Sequence, residues 1–355
     1  MLAFLRARNR AATVPEIEDQ YTIADEARLP LHILADDARL SVGNAMLHVE
    51  ADGEVRSLRP EEVSLVALHG GAQVSVPCLH LMARSGVPLV LLSRNGYFLG
   101  QITDLTGTYT ATHRAQYATI GDRRRCLALA RQTVSAKLAT TARLARRRLG
   151  ARDQVTRALR RGALQAGRAR SAERLRGLEG AAAAAWFGAW GRMLGETDSL
   201  FTFDGRSRRP PRDATNALLS YLYAVLTGTI TATSTACGLD PHVGYFHAQR
   251  PGRPALALDL VDPLRPAMVD TAVIAAIRHR EFTTESFETQ PDGSFRLSRD
   301  GRRRALDILE RRLSTHLVHN GTEMSWRQAI TRYCQDFAAA LRQGTMPPDP
   351  PMARG

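Results

Sequence analysis

The sequence predicts an α+β protein. A small β-rich domain over residues 1–105 is followed by a larger all-helical domain over 106–345, and residues 346–355 form a disordered tail. Three observations carry this reading. Short apolar runs separated by turn residues fill 29–102. Beyond Gly107, long Ala-, Leu- and Arg-rich stretches run with a period of 3.6 residues. With 355 residues and 44% hydrophobic content, the chain can bury at least one full core, and its length suits two domains.

In the first domain LHIL, ARLSV, AMLHVEA, EVRSL, SLVAL, PLVLLS and YFLGQI read as strands, because they alternate with period two and are rich in β-branched residues. Asp52-Gly53 between two of them marks a hairpin, since a tight turn needs positive φ. One helix interrupts the set, VPCLHLMARSG from Val76, ending at Gly86. The first 20 residues fit no element. In the second domain helices are expected over 110–148, 152–170, 171–193, 213–236, 262–280, 299–316 and 325–343. The last is bounded by a Ser325/Gln328 capping box and by Gly344, with Ile330, Cys334, Phe337 and Leu341 on one face. Residues 287–297, centred on Pro291-Asp292-Gly293, read as a hairpin among the helices. The proline-rich end MPPDPPMARG lacks the apolar content to pack.

The formal net charge is +13, with arginine clusters at 123–125, 146–148, 206–212 and 302–304, and Lys137 is the only lysine. Guanidinium groups are planar, permanently charged and bind phosphate bidentately, so the balance points to a polyanionic partner. GC-rich coding accounts for arginine over lysine as readily, so net charge carries the inference. Cys78, Cys126, Cys237 and Cys334 form no CxxC pair, which argues against a zinc ribbon and a disulfide framework. No apolar run approaches the roughly 18–20 residues that span a bilayer, and the N-terminus lacks a signal-peptide layout. No membrane partner is expected, and the cytoplasm is the expected address.

Three separated segments carry the chemistry. Glu179 lies in RSAERLRGLEGAAAAAWFGAW beside an apolar stripe of Leu175, Leu178, Ala182 and Trp186, where a carboxylate needs a cation: Arg176 one turn away, or a metal. In GLDPHVGYFH, Gly238, Pro241 and Gly244 constrain a turn that presents His242 and His247. In LALDLVDPLRP, Asp259 and Asp262 precede Pro263, where a starting helix tolerates anions, so N-capping competes with metal ligation. Carboxylates with one imidazole suit Mg²⁺ or Mn²⁺, which polarise a phosphoryl oxygen and activate a bound hydroxyl. Arg176 and Arg265 are candidate phosphate holders. Arg206, Arg208, Arg209 and Arg212, in a proline-containing loop, are candidate contacts to a DNA backbone. Asp213 is placed to cap the next helix, which carries Asn216, Ser220 and Tyr223. Trp186 and Trp190 read as core or interface anchors.

LRGLEG, RPPRDATNALLSYLYAVL, GLDPHVGYFH and LALDLVDPLRP, in this order, resemble the CRISPR-associated integrase family, Cas protein one, over about 31–340. The resemblance implies a metal-dependent DNA endonuclease and integrase that inserts foreign double-stranded DNA fragments as new spacers at a CRISPR repeat boundary. The 3′-hydroxyl of the incoming prespacer attacks a repeat phosphodiester without a covalent enzyme intermediate. It implies Glu179, His247 and Asp262 as metal ligands with Asp259 in support, and homodimers joined through the N-terminal domain, two of which flank a dimer of the small Cas protein two. His242 stands where many relatives have tyrosine, and Asp262 where relatives often have glutamate. Two other readings stay open at this stage: a metal-dependent nuclease of branched or single-stranded DNA outside CRISPR, and a basic DNA-binding protein without catalysis.

Overall fold

The computed structural model describes residues 28–102, 109–195, 199–207, 210–319 and 321–352. Residues 1–20, Arg208 and Arg209 lie outside them. The chain divides into two compact units, Met1–Thr106 and Gly107–Gly355.

The first unit holds strands β1 (Leu29–Ile33), β2 (Arg39–Gly43), β3 (Met46–Ala51), β4 (Glu54–Leu58), β5 (Val63–His69), β6 (Gln73–Val74), β7 (Leu89–Leu92) and β8 (Phe98–Ile102), with helix α1 (Val76–Arg84) between β6 and β7. They form two four-stranded sheets. One runs β1-β5-β7-β8, with β1, β5 and β7 parallel, and the other runs β4-β3-β2-β6. Both hairpins of the second sheet turn on two residues with positive φ, Asn44-Ala45 and the expected Asp52-Gly53, matching the right-handed twist of the paired strands. Inward-facing Ile33, Leu40, Leu47, Val49, Val66 and Leu89 share a core with Cys78 and Met82 of α1.

The second unit is mainly helical: α2 (Thr110–Gly121), α3 (Arg123–Leu149), α4 (Gln154–Gly167), α5 (Ala172–Gly188), α6 (Trp190–Leu194), α7 (Ala214–Ala236), α8 (Ala255–Val261), α9 (Thr271–Arg278), α10 (Arg299–Leu313) and α11 (Trp326–Gln343). The α+β class holds, with two amendments. The helix expected over 110–148 is two helices, because Asp122 leaves helical geometry and accepts from the backbone N–H groups of Arg124 (2.8 Å) and Arg125 (3.3 Å) as the cap of α3. The unit is also not all-helical. The expected hairpin pairs β9 (Phe287–Thr289) with β10 (Phe295–Leu297), and an unexpected one pairs β11 (His316–His319) with β12 (Thr322–Ser325). Four-residue strands flanked by helices carry too little alternation to be read from pattern. Ser325 still caps α11 as expected, and Gly344 closes it at φ 70°.

α7 is a largely buried helix of this unit and is long and apolar enough to cross a membrane, though 72% of its apolar window is buried inside the protein. Its threonines suit burial because their hydroxyls bond the carbonyls one turn back, as Thr227, Thr229, Thr231, Thr233 and Thr235 all do. The proline-rich end corrects the expectation of disorder over residues 346–352. Gln132 Nε2 of α3 donates to Pro347 O at 3.0 Å and Asp349 Oδ1 at 2.9 Å, so side-chain hydrogen bonds supply the fixing that composition lacks.

Candidate metal centre

α8 carries two of the expected acidic residues, in a different setting from the one anticipated. The helix begins at Ala255, directly after Pro254, so Asp259 lies inside it and Asp262 forms its C-terminal cap. Neither aspartate caps a helix start. Pro263 and Pro266 lack the N–H that would continue the ladder, and the chain passes through a π-helical turn (Pro266–Asp270) before α9. Asp262 therefore sits at the end of a helix that repels anions, and its charge must be met by side chains.

Asp259 is 0% exposed. Its Oδ2 accepts from the backbone N–H groups of Tyr245 (2.7 Å) and Phe246 (3.0 Å), and its Oδ1 from that of His247 (2.9 Å). His247 Nδ1 lies 2.6 Å from the same Oδ1. Burial pushes the Asp259 carboxyl up, and the bond from His247 and the backbone N–H groups counter it. This wrapping requires glycine at 244, where a Cβ would meet Asp259 Oδ2 and the Ala255 carbonyl carbon, each at 2.6 Å. The far side of the loop is clamped by Gln116 of α2, whose amide donates to Asp240 O (2.8 Å) and Val243 O (2.9 Å). Tyr245 Oη lies 2.6 Å from Thr133 Oγ1 of α3. With Nδ1 held by a carboxylate, His247 turns Nε2 toward Asp262 Oδ2, at 3.9 Å.

Asp262 is 1% exposed. Lys137 Nζ, from α3, donates to Asp262 Oδ2 at 2.9 Å and also to Glu179 Oε1 of α5. Arg265 Nη1 is 2.8 Å from Asp262 Oδ1, yet its angle leaves that oxygen without a hydrogen bond. Burial works against the Asp262 charge, but Lys137 and Arg265 outweigh it and hold the carboxyl below the usual range. Burial likewise opposes the Lys137 charge, and Asp262 and Glu179 overcome it, keeping the ammonium above the ordinary lysine range. Arg176 is not the partner of Glu179. It pairs with Glu173 at 3.7 Å and stacks on Phe246 at 5.6 Å, with 54% of its side chain exposed.

A second polar network adjoins the first. Arg265 stacks on the Tyr223 ring at 5.0 Å, and Tyr223 Oη donates to Asp270, which also accepts from Trp186 Nε1 at 2.8 Å. Burial lifts the Asp270 carboxyl to about 6. Arg206 stacks on the same ring at 5.5 Å and donates to Asn216 Oδ1 (2.7 Å) and Ser220 Oγ (3.0 Å). In this structure it is thus turned inward as a loop anchor. Arg212 is exposed and donates to Asp292 O at 3.3 Å. Asp213 caps α7 as expected, and Trp186 and Trp190 are buried in an edge-on pair. His242 is exposed.

Glu179, His247, Asp259 and Asp262 are therefore brought together. Among the described residues, however, no three His, Cys, Asp or Glu side chains stand close enough to hold one ion, and the Lys137 ammonium lies between Glu179 and Asp262. The donor chemistry fits a hard divalent cation: two carboxylates that require positive charge, a buried Asp262 oxygen lacking a hydrogen bond, and an imidazole nitrogen oriented by a carboxylate behind it. Sequence reasoning missed Lys137, Gln116 and Asp270. For Lys137 the signal was its uniqueness among 48 Lys and Arg residues.

A family model described as CRISPR associated protein Cas1 matches residues 31–311. The chain belongs to the Cas1 family. A CRISPR-associated endonuclease Cas1 of Thermus thermophilus is 38% identical over 316 residues, which cover 88% of this chain and 96% of the relative. A CRISPR-associated exonuclease Cas4/endonuclease Cas1 fusion of Rhodospirillum rubrum is 38% identical over 312 residues, or 85% of this chain and 54% of the fusion. The chain spans about half the length of that fusion protein. Among solved structures, a casposase bound to integration product superposes with a TM-score of 0.79 over 90% of this chain and 92% of that one, at 22% identity. This last likeness concerns the fold.

Proposed function

We propose that this Cas1-family protein is a metal-dependent DNA integrase and endonuclease that joins prespacer DNA to the boundary of a CRISPR repeat, using Mg²⁺ or Mn²⁺ held by Glu179, His247 and Asp262. The observation that carries the reading is the convergence of Glu179 and Asp262 on one partly buried cation, with His247 Nε2 turned toward Asp262 by the Asp259 carboxylate behind it. When bound, the divalent ion supplies Lewis acidity at the phosphoryl oxygen and favours ionisation of the attacking hydroxyl. Asp259 fixes the imidazole, and the loop wrapped on Asp259 fixes the ligand bearing it. Arg265, stacked on Tyr223, holds Asp262 in place. Arg176, exposed and stacked beside the His247 loop on Phe246, is the cation best placed to neutralise a DNA phosphate.

In the proposed reaction a P–O bond forms between the donor 3′-oxygen and the repeat phosphorus as the repeat strand's own P–O bond breaks. The donor hydroxyl proton passes to the leaving oxygen. Phosphodiester number is conserved, so neither water nor an energy cofactor is consumed. The working assembly is a homodimer acting with the small Cas protein two on double-stranded DNA. Strand transfer from a 3′-hydroxyl duplex into a repeat-bearing plasmid, with the partner and Mn²⁺ present, tests this. Joined product is expected from the wild type and none from His247→Ala or Asp262→Ala. Integration that persists in either variant sinks the assigned site, and hydrolysis without joining identifies a nuclease instead.

A further inference from the structure

We propose that Lys137 is a displaceable internal counter-cation: its ammonium neutralises Glu179 and Asp262 in the ion-free protein and gives up both oxygens when a divalent ion binds. The inference rests on the metal-dependent reading of the site.

Lys137 Nζ bonds Glu179 Oε1 and Asp262 Oδ2, one oxygen from each of the two carboxylates that would hold the ion. An ammonium and a divalent cation cannot share those oxygens, since like charges in a largely buried site repel with little screening. One of the two has to leave. Arg265 is the less able to move, tied to Asp262 at 2.8 Å and stacked on Tyr223 at 5.0 Å. Lys137 has the two carboxylates as its ion-pair partners among the described residues, and a flexible four-carbon stem that swings the charge away.

The residue type supports the same conclusion. Of the 48 Lys and Arg residues in the chain, Lys137 alone is lysine. Arginine would grip a carboxylate through a planar bidentate fork, whereas an ammonium is a compact point charge, closer in size and form to the ion it stands in for. Side chains of α3 around this position are largely buried, so an uncompensated pair of carboxylates here would be costly. The lysine thus lets the site fold before it is loaded.

Mn²⁺ titrations of the full chain followed by electron paramagnetic resonance test this, with wild type, Lys137→Met, Glu179→Ala and Asp262→Ala compared. Lys137→Met is expected to bind Mn²⁺ at least about tenfold tighter than wild type, and to gain more thermal stability from it, because the ion replaces a missing charge instead of displacing one. An affinity equal to or weaker than wild type overturns the proposal. Should Lys137→Met fail to fold alone, recovery of native circular dichroism on adding Mn²⁺ supports it, and failure to recover at any Mn²⁺ level overturns it. The double variant Lys137→Met/Glu179→Gln has less uncompensated negative charge and should lose the gain. Wild-type binding abolished by Asp262→Ala but not tightened by Lys137→Met defeats only the displacement. Absence of binding sensitive to Asp262 or Glu179 defeats the metal reading as well.

Discussion

Asp259 and Asp262 stand one turn apart at the end of a short helix, both closed to solvent, and are held in opposite ways. Asp259 receives three backbone N–H groups and an imidazole nitrogen. Asp262 is met by two side-chain cations, Lys137 and Arg265, and its Oδ1 accepts no hydrogen bond. The first arrangement is built into the backbone and shapes the loop that carries His247. The second is a charge balance between side chains, which under the proposed metal-dependent reading an incoming ion would rewrite. The difference separates a carboxylate held by the backbone from one held only by side-chain charges.

If this division is right, Asp259→Ala has the largest structural effect. Removing one partner from a buried charged network should cost about 4 kcal/mol of unfolding free energy, read from urea melts at neutral pH. Next comes a pH effect in the neighbouring network. The folded pKa of Asp270 is raised to about 6 from 3.8, so its contribution to stability is fully present below 3.8 and lost as pH rises through about 6. Two pKa units correspond to about 3 kcal/mol. The stability of wild type relative to Asp270→Asn should fall by roughly that amount between pH 3.5 and pH 7.5, and a flat difference would refute the assignment. Gly244→Ala forces a Cβ against Asp259 and should cost about 2 kcal/mol. The same substitution should weaken Mn²⁺ binding through displacement of His247, which titration of the purified variant will show. A smaller effect on folding is expected for Asp262→Asn, about 2 kcal/mol, because Lys137 keeps Glu179 as a partner, with Mn²⁺ binding lost. A cost for Asp262→Asn matching that of Asp259→Ala would erase the comparison.

Much of this organisation is legible in the sequence where a local rule operates. Asp52-Gly53 marks its hairpin because positive φ is a property of the residue itself, and the Ser325/Gln328 box with Gly344 bounds α11 because capping involves side chains within one turn. The strands of the first unit and the gathering of Glu179, His247, Asp259 and Asp262 belong to the same class of readable features, the latter through the flanking motifs. What was misread depended on competition. Asp122 broke a helix whose periodicity ran on across it. The helix around Asp259 started early, after Pro254, and so removed the N-cap alternative by making Asp259 an interior position. The inward contacts of Arg206 with the Tyr223 ring, Asn216 and Ser220 likewise could not be read from the loop's composition. Residues 132 and 347–349 are too far apart in the chain for composition to foresee their hydrogen bonds.

By itself, the sequence determined the α+β class and the excess of positive charge, and it singled out the four candidate groups, because turn preference, periodicity and motif order are local properties of the chain. Tertiary structure alone decided which group answers which. Lys137 reached Glu179 and Asp262 from 42 and 125 residues away, Gln116 clamped a loop 124 residues further on, and burial then set the charge states. Such pairings depend on distance in space and on the exclusion of water, and neither is written in the spacing of residues along the chain.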